Sequence, residues 1–465
     1  MAELSLAQAE LHTGEIPKLR APRTSQRLRN IELGLLCSAF TLTTLAIMFV
    51  QFGVVGRVDI HPLGLWTLVF GLTLVVHVIL RMVAPQADPL FIPLAFTLNG
   101  LGIAEIYRID LYAQSLGWDA LATKQLAWTA LALGCVAAVL LIVRDHRALQ
   151  RYTYTFGLVA VVLLLLPAVP LIGQEISGAR VWIHLGPLSF QPGEIAKIAL
   201  AVFFAGYLVS HRESLSVVGR KFLGIRMPRG RDLGPIIAVW ILSMLVIVIQ
   251  KDLGTGLLFF GLFLVMLYVA TARVSWVVLG VSLILLGGAL ANQFLGYVHD
   301  RFANWYDAFN PAIYNAEGGS YQVVQGIFGL AHGGLLGTGL GRGMPYITPV
   351  SQSDYIISSL GEELGLAGIF AILCIYVLFI ARGLRIGFSG HDDFGGLLAV
   401  GLSFVVALQC FIVIGGITRL LPLTGLTTPF LAAGGSSLVA NWIIVALLLR
   451  ISDANRRGSG RVIAQ

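Results

Sequence analysis

Glu194 and Lys197 stand three residues apart in the stretch Gln191-Pro192-Gly193-Glu194-Ile195-Ala196-Lys197, inside an otherwise apolar run. That spacing puts both on one helix face, where opposite charges pair. Ionisable groups at such positions are costly to bury and tend to serve a site. Two readings follow: a structural pair tying helices together, or one polar wall of a substrate cavity. Pro192 suits a first helical turn, which sets the pair one turn inside the helix. Further groups are scattered along the chain. Arg180 and Trp182 lie in Gly-Ala-Arg-Val-Trp-Ile at 178–183. Arg180 suits an anionic headgroup and Trp182 an interfacial belt. Lys251 and Asp252 sit together between two apolar runs, readable as a turn with a charge pair. Asp354 precedes an apolar run, and Glu362 and Glu363 stand within its first turns, where two carboxylates demand a polar neighbour. Arg419 is the only charge in the Pro- and Gly-rich stretch 418–441, which also holds Ser436 and Ser437. The largest concentration is Asp300–Gly368, a polar, non-basic segment with Asp300, Arg301, Asp307 and Glu317 ahead of its glycines. A long segment of this kind serves either as a spacer or as a working loop.

The elements that position these groups are membrane helices. The chain is 57% hydrophobic and 12% charged, against about 25% charged for soluble domains. We expect an all-α polytopic membrane protein with about 12 transmembrane helices, each of about 20 residues. The runs lie near 31–53, 63–83, 89–107, 124–143, 152–173, 193–210, 233–250, 253–271, 274–297, 356–381, 394–417 and 427–449. Residues 1–30 read as a disordered basic cytoplasmic arm, 31–451 as the membrane domain, 298–355 as a large extracytoplasmic loop, and 452–465 as a cytoplasmic tail. With both termini inside, 22 of the 31 Lys and Arg fall on the cytoplasmic side and eight on the outer side, as the positive-inside rule requires. The net charge of +7 therefore speaks for orientation and not for nucleic acid. The segment 211–232 is a basic cytoplasmic loop. Cys37, Cys135, Cys374 and Cys410 sit in apolar runs and read as packing residues. No phosphate-binding glycine loop follows a strand, so no nucleotide is expected.

The order of the motifs is more specific than any one of them. Arg180-x-Trp182-Ile183, Gln191-Pro192-x-Glu194-x-x-Lys197, Lys251-Asp252-Leu253-Gly254-Thr255, Asp354-Tyr355 leading to Gly361-Glu362-Glu363-Leu364-Gly365, and Pro422-x-Thr424-Gly425-x-Thr427-x-Pro429-Phe430 ahead of Gly434-Gly435-Ser436-Ser437 follow one another. This series resembles the SEDS family (shape, elongation, division and sporulation), most closely its actinobacterial cell-elongation members, which carry two additional N-terminal helices. The likeness runs from about residue 90 to 450.

The resemblance implies a peptidoglycan glycosyltransferase in the plasma membrane. It would polymerise lipid II, an undecaprenyl-pyrophosphate-linked disaccharide pentapeptide, at the outer face, beside a class B penicillin-binding protein. Such chemistry needs a carboxylate for the attacking hydroxyl, and cations or a divalent metal (Mg or Mn) for the pyrophosphate. The family carries an Asp-Pro-x-x-Asp-Pro pattern in the large loop. Asp307 matches its first Asp, and Asn310 stands near the second. Asp307 is the expected base and Glu317 the second candidate, while Asp300, next to Arg301, is expected to be neutralised in a pair. Arg180, Trp182, Glu194, Lys197, Asp252, Arg301, Asp354, Glu362, Glu363, Arg419, Ser436 and Ser437 are the expected substrate-binding set. Two other readings stay open: a lipid II flippase or transporter, and a non-catalytic scaffold for a transpeptidase.

Overall fold

The computed structural model describes residues 21–462 apart from 116, 170–171, 177, 186–187, 217, 223–224, 229–232 and 391. Every apolar run contains a helix. These are α1 (Ala21–Val55), α2 (Ile60–Val83), α3 (Phe91–Ala113), α4 (Leu121–Ile142), α5 (Thr153–Leu165), α6 (Pro192–Ser216), α7 (Gly234–Gln250), α8 (Leu253–Thr271) and α9 (Val274–Phe294). The large loop holds α10 (Gly296–Tyr306), α11 (Pro311–Tyr314) and α12 (Tyr321–Gly333); α13 (Ile356–Ser389), α14 (Asp393–Ile417) and α15 (Gly435–Val462) close the chain. Among the described residues, ten helical segments are long and apolar enough to cross a membrane. The two remaining positions of the expected twelve are α7, with 17 residues, and α3, which carries Glu105, Arg108 and Asp110. The chain is a multi-pass membrane protein.

Burial separates a centre from a shell. The apolar window of α15 is 89% buried and that of α14 72%, whereas the window containing α5 is 17% buried. α6, α8, α14 and α15 thus form the middle of the bundle, and α1, α2, α4, α5 and α9 expose apolar side chains as a lipid-facing surface does.

Five stretches differ from the sequence reading. Residues 1–20 of the expected arm lie outside the described residues, and 21–30 are helical. There Arg29 pairs with Glu32 and donates to the Ala87 carbonyl, and Glu32 meets His77 Nδ1 at 2.6 Å, so charge is neutralised and the helix continues. At the other end α15 runs on to Val462 in the expected tail, held by Arg456–Asp88 and Arg457–Asp453 ion pairs at 3.2 and 2.7 Å. The 152–173 run stops as a helix at Leu165 and turns into a three-stranded antiparallel sheet, β1 (Gly173–Ile176), β2 (Ala179–Leu185) and β3 (Leu188–Phe190). A two-stranded hairpin, β4 (Val218–Phe222) and β5 (Ile225–Pro228), forms within the expected basic loop.

The 427–449 run differs most. Residues 418–434 are not helical, and α15 starts only at Gly435. Pro422 and Pro429 lack a donor and disfavour the preceding helical turn, while Arg419, Gly425 and Phe430 adopt φ of 58°, 79° and 65°. The broken backbone finds partners elsewhere: Ala433 N–H donates to the Gln352 carbonyl at 2.8 Å. It also comes close to α3, where a Cβ on Gly102 would lie 2.2 Å from the Leu431 carbonyl oxygen.

Candidate active site

The α7–α8 turn, α10, the start of α12, the residues before α13 and the broken 418–425 segment surround a cleft of about 460 Å³. Lys251, Tyr297, Asp300, Arg301, Trp305, Asp354 and Arg419 contribute to its wall. Arg301 Nη1 donates to the Leu423 carbonyl at 3.0 Å, which anchors the guanidinium on the broken segment. Asp354 is half-buried, and burial pushes its carboxyl up to about 6, opposed by Ser353 and by the charge of Arg301. Asp300 is exposed and lines the cleft; no ion pair between it and Arg301 occurs among the described residues, contrary to the expected neutralisation. Asp252 caps α8, accepting from Thr255 N–H at 2.9 Å and Thr255 Oγ1 at 2.5 Å. Burial pushes its carboxyl up, and the Thr255 hydrogen bonds oppose that. The expected Lys251–Asp252 pair is replaced: Lys251 reaches Glu175 Oε1 at 3.1 Å.

Arg419 frames the rim. Its Nη2 donates to the Trp305 and Tyr306 carbonyls at 2.8 and 3.2 Å, Trp305 Nε1 donates back to the Arg419 carbonyl at 2.9 Å, and the guanidinium lies 5.3 Å from the Phe309 ring centroid. Asp307 follows directly, exposed at the end of α10. Asn310 Nδ2 donates to Asp307 Oδ2 at 2.9 Å, and Asn310 Oδ1 caps α11 by accepting from Ala312 N–H. The residue standing near the second family Asp therefore steadies the first. Asp307 is on the rim and not in the wall of the cleft. Glu317 is exposed on the turn before Gly318, whose carbonyl accepts from Asn304 Nδ2 at 2.9 Å.

Trp305 and Leu421 belong to two cavities at once. On their far side an apolar groove of about 510 Å³ runs between α7, α8 and α9, past Met244, Leu257, Phe260 and Leu285. A polar cleft thus adjoins an apolar groove, a shape that fits an amphiphile with a charged head and a hydrocarbon tail.

The other expected residues fall into separate groups. Glu194 and Lys197 do pair, at 2.5 Å, and both are buried. Lys197 Nζ also donates to Gln409 Oε1 at 3.0 Å and Asn441 Oδ1 at 3.3 Å, and Thr427 Oγ1 donates to Ser437 Oγ at 3.0 Å. Ser436 Oγ accepts from Gln191 N–H at 2.8 Å. This network knits α6, α14 and α15 to the broken segment, and neither Glu194 nor Lys197 is in the cleft wall. Gln409 and Asn441 escape a search confined to ionisable residues; amides inside apolar runs were the available signal. Glu362 and Glu363 form a third group. Glu363 accepts from Arg108 Nε at 3.1 Å and from the N–H groups of Gly341 and Gly343 at 2.8 and 3.2 Å. Glu362 accepts from Met344 N–H at 3.0 Å and meets His332 Nδ1 at 2.8 Å. They clamp the glycine-rich loop, and a kink at Gly365 (φ 70°) lets α13 pass beneath it. Arg180 is exposed and Trp182 half-buried on β2, beside the cleft. Among the described residues, no three His, Cys, Asp or Glu side chains gather as an ion site would require.

The family described as cell cycle protein, which groups FtsW, RodA and SpoVE, matches residues 89–457. This chain belongs to that family. The family match begins just before α3, so α1 and α2 lie ahead of it. The chain is 44% identical over 436 residues to the peptidoglycan glycosyltransferase RodA of Mycobacterium tuberculosis (strain H37Rv), covering 92% of this chain and 91% of the relative. It is 42% identical over 430 residues to the protein of the same name from Mycobacterium leprae, with the same coverage. Stage V sporulation protein E of Bacillus subtilis is 30% identical over 380 residues, covering 79% of this chain and 98% of the relative. The fold is also that of a chain in a peptidoglycan synthase complex (TM-score 0.61, 23% identity, 79% and 98% covered) and of the rod shape determining protein RodA of Thermus thermophilus (TM-score 0.52, 22% identity, 79% and 97% covered).

Proposed function

We propose that this chain polymerises lipid II into glycan strands at the outer face of the plasma membrane during cell elongation. It is a peptidoglycan glycosyltransferase, as its mycobacterial relatives are named. The observation that carries the substrate assignment is the adjoining pair of cavities, the polar cleft and the apolar groove that share Trp305 and Leu421. The groove takes the polyprenyl chain. The cleft takes the pyrophosphate and sugars, with Arg301, Lys251 and Arg419 supplying positive charge where the leaving group develops negative charge.

In the reaction an acceptor hydroxyl attacks the anomeric carbon, its oxygen forms the new glycosidic bond, and the bond to the pyrophosphate breaks. The hydroxyl proton goes to a carboxylate. Asp307, steadied by Asn310 and standing next to Trp305 on the rim, is the base; a loop base tightens onto its substrate only in the bound complex. The second reading makes Asp354 the base, favoured by its place in the cleft and a carboxyl held at about 6. Among the described residues no set of ligands gathers for a metal, and no step is assigned to one.

Both termini are cytoplasmic in this proposal and the 298–355 segment is extracytoplasmic, which the split of Lys and Arg supports. The partner is a class B penicillin-binding protein anchored by a single helix. A flippase would need its membrane carboxylates to face a passage; Glu194 is instead enclosed with Lys197. The test is polymerisation of purified lipid II by the parent and by Asp307→Asn, Asp354→Asn and Glu317→Gln. Polymer from the parent alone or with its partner supports the assignment. Lipid II translocated across vesicles with no polymer would replace it with the flippase reading.

A further inference from the structure

The rim of the cleft carries a carboxylate that the family motifs do not include. Glu175 lies at an irregularity of β1: the register with β2 shifts between Gln174 and Ile176. Its two oxygens divide between two cations from different elements. Oε2 accepts from Arg180 Nε on β2 at 3.1 Å, and Oε1 accepts from Lys251 Nζ, in the α7–α8 turn, at 3.1 Å. Lys251 reaches this position from a left-handed backbone, φ 55°. Lys251 itself, with Gly178 and Ala179 of the β1–β2 turn, lines the cleft. All three charged side chains are between 39% and 49% exposed, so the cluster is open to an arriving ligand. The Lys251 and Arg180 hydrogen bonds hold the Glu175 carboxyl below its ordinary range.

We infer that Glu175 is an internal stand-in for the anion of the substrate, gathering Lys251 and Arg180 at the mouth of the cleft and yielding them to an incoming diphosphate. This rests on the lipid-diphosphate reading above. The physical reasoning is a competition. Two cations left near one another repel, and an exposed carboxylate between them offsets that at little desolvation cost. A diphosphate offers more charge and more acceptor oxygens than one carboxylate, so it displaces Glu175. The same pairing weakens the field at the mouth until the ligand arrives, which disfavours singly charged anions and lipids.

Glu175 does not line the cleft, so its role is separable from turnover. The experiment measures lipid II polymerisation kinetics for the parent, Glu175→Gln, Lys251→Gln and the double variant, in detergent at low and at high salt. Glu175→Gln should lower KM about twofold to fivefold at low salt, the range of exposed ion pairs, with kcat unchanged, and the gain should vanish at high salt. Lys251→Gln should raise KM, and adding Glu175→Gln to it should recover less than it gains in the parent. A KM in Glu175→Gln equal to or above the parent's, in protein with an unchanged melting temperature, overturns the stand-in while leaving the polymerase reading intact. Absence of polymer from every protein, with inorganic pyrophosphate failing to compete the Lys251–Glu175 contact as read by lysine-selective labelling, would instead sink both.

Discussion

The cleft and the glycine-loop clamp both present carboxylates beside an arginine, yet they spend them differently. In the clamp, Glu363 accepts from Arg108 and two backbone N–H groups, and Glu362 from a third N–H and a histidine; both are buried. In the cleft, Asp300 and Asp354 border open volume, and Arg301 is anchored on a backbone carbonyl and leaves its charge facing that volume. A carboxylate whose acceptor sites are filled by its own chain holds structure, and one that borders a cavity can serve a ligand. The glycines of the 337–343 stretch explain the clamp. Backbone without side chains can pass close over a helix: a Cβ on Gly337 would lie 2.2 Å from the Glu363 carbonyl oxygen.

Substitutions that neutralise one group at a time can break this contrast. The largest effect is expected from Asp307→Asn, which should lose about a hundredfold or more in kcat, the scale of a missing general base, with melting unchanged because the side chain is exposed. Glu363→Gln should do the opposite. Leaving Arg108 without its anion costs about 2 kcal/mol of stability, seen as a lowered melting temperature and poor recovery from the membrane, while the folded fraction keeps near-parental kcat.

Asp354→Asn should act through pH. The Asp354 carboxyl is raised to about 6, so in the parent its charge, and with it the activity, grows as pH rises through that value. Asp354→Asn should flatten this limb and cost about tenfold at neutral pH. The stability sign runs the other way. Because the folded carboxyl holds its proton more tightly than an unfolded one, its contribution is complete below pH about 4 and is lost as pH rises through about 6. Thermal melts should therefore show the Asn variant gaining on the parent between those values. Glu317→Gln should be the mildest, within about twofold of the parent in kcat, since an exposed group with no fixed partner contributes little.

Much of the fold could be read in the sequence. Hydropathy places a helix in each of the twelve runs, ten of the described segments being long and apolar enough to cross a membrane, but it starts the last run at 427, inside the broken segment that holds Pro429. The site was legible in part. Asp354, Arg301 and Arg419 stand out in the sequence and do converge, because a charge kept at the end of an apolar run has to meet something polar. Glu362 and Glu363 gave the same signal for a structural reason, since the N–H groups that satisfy them come from Gly341, Gly343 and Met344, about twenty residues upstream. The partners of Lys197, Gln409 and Asn441, lie 212 and 244 residues away along the chain, and nothing local announces them. Glu175 stands just past the 152–173 run, where no motif points to it, and only the short sheet brings it to Lys251.

The most direct measurement compares single-turnover lipid II polymerisation per folded molecule for Asp307→Asn, Asp354→Asn and Glu363→Gln, side by side with their melting temperatures. The account predicts that Asp307→Asn melts like the parent and Asp354→Asn melts no lower than the parent, that both turn over slowly, and that the third melts early and turns over normally. Normal turnover in both cleft variants, together with a collapse of turnover in fully folded Glu363→Gln, would contradict it.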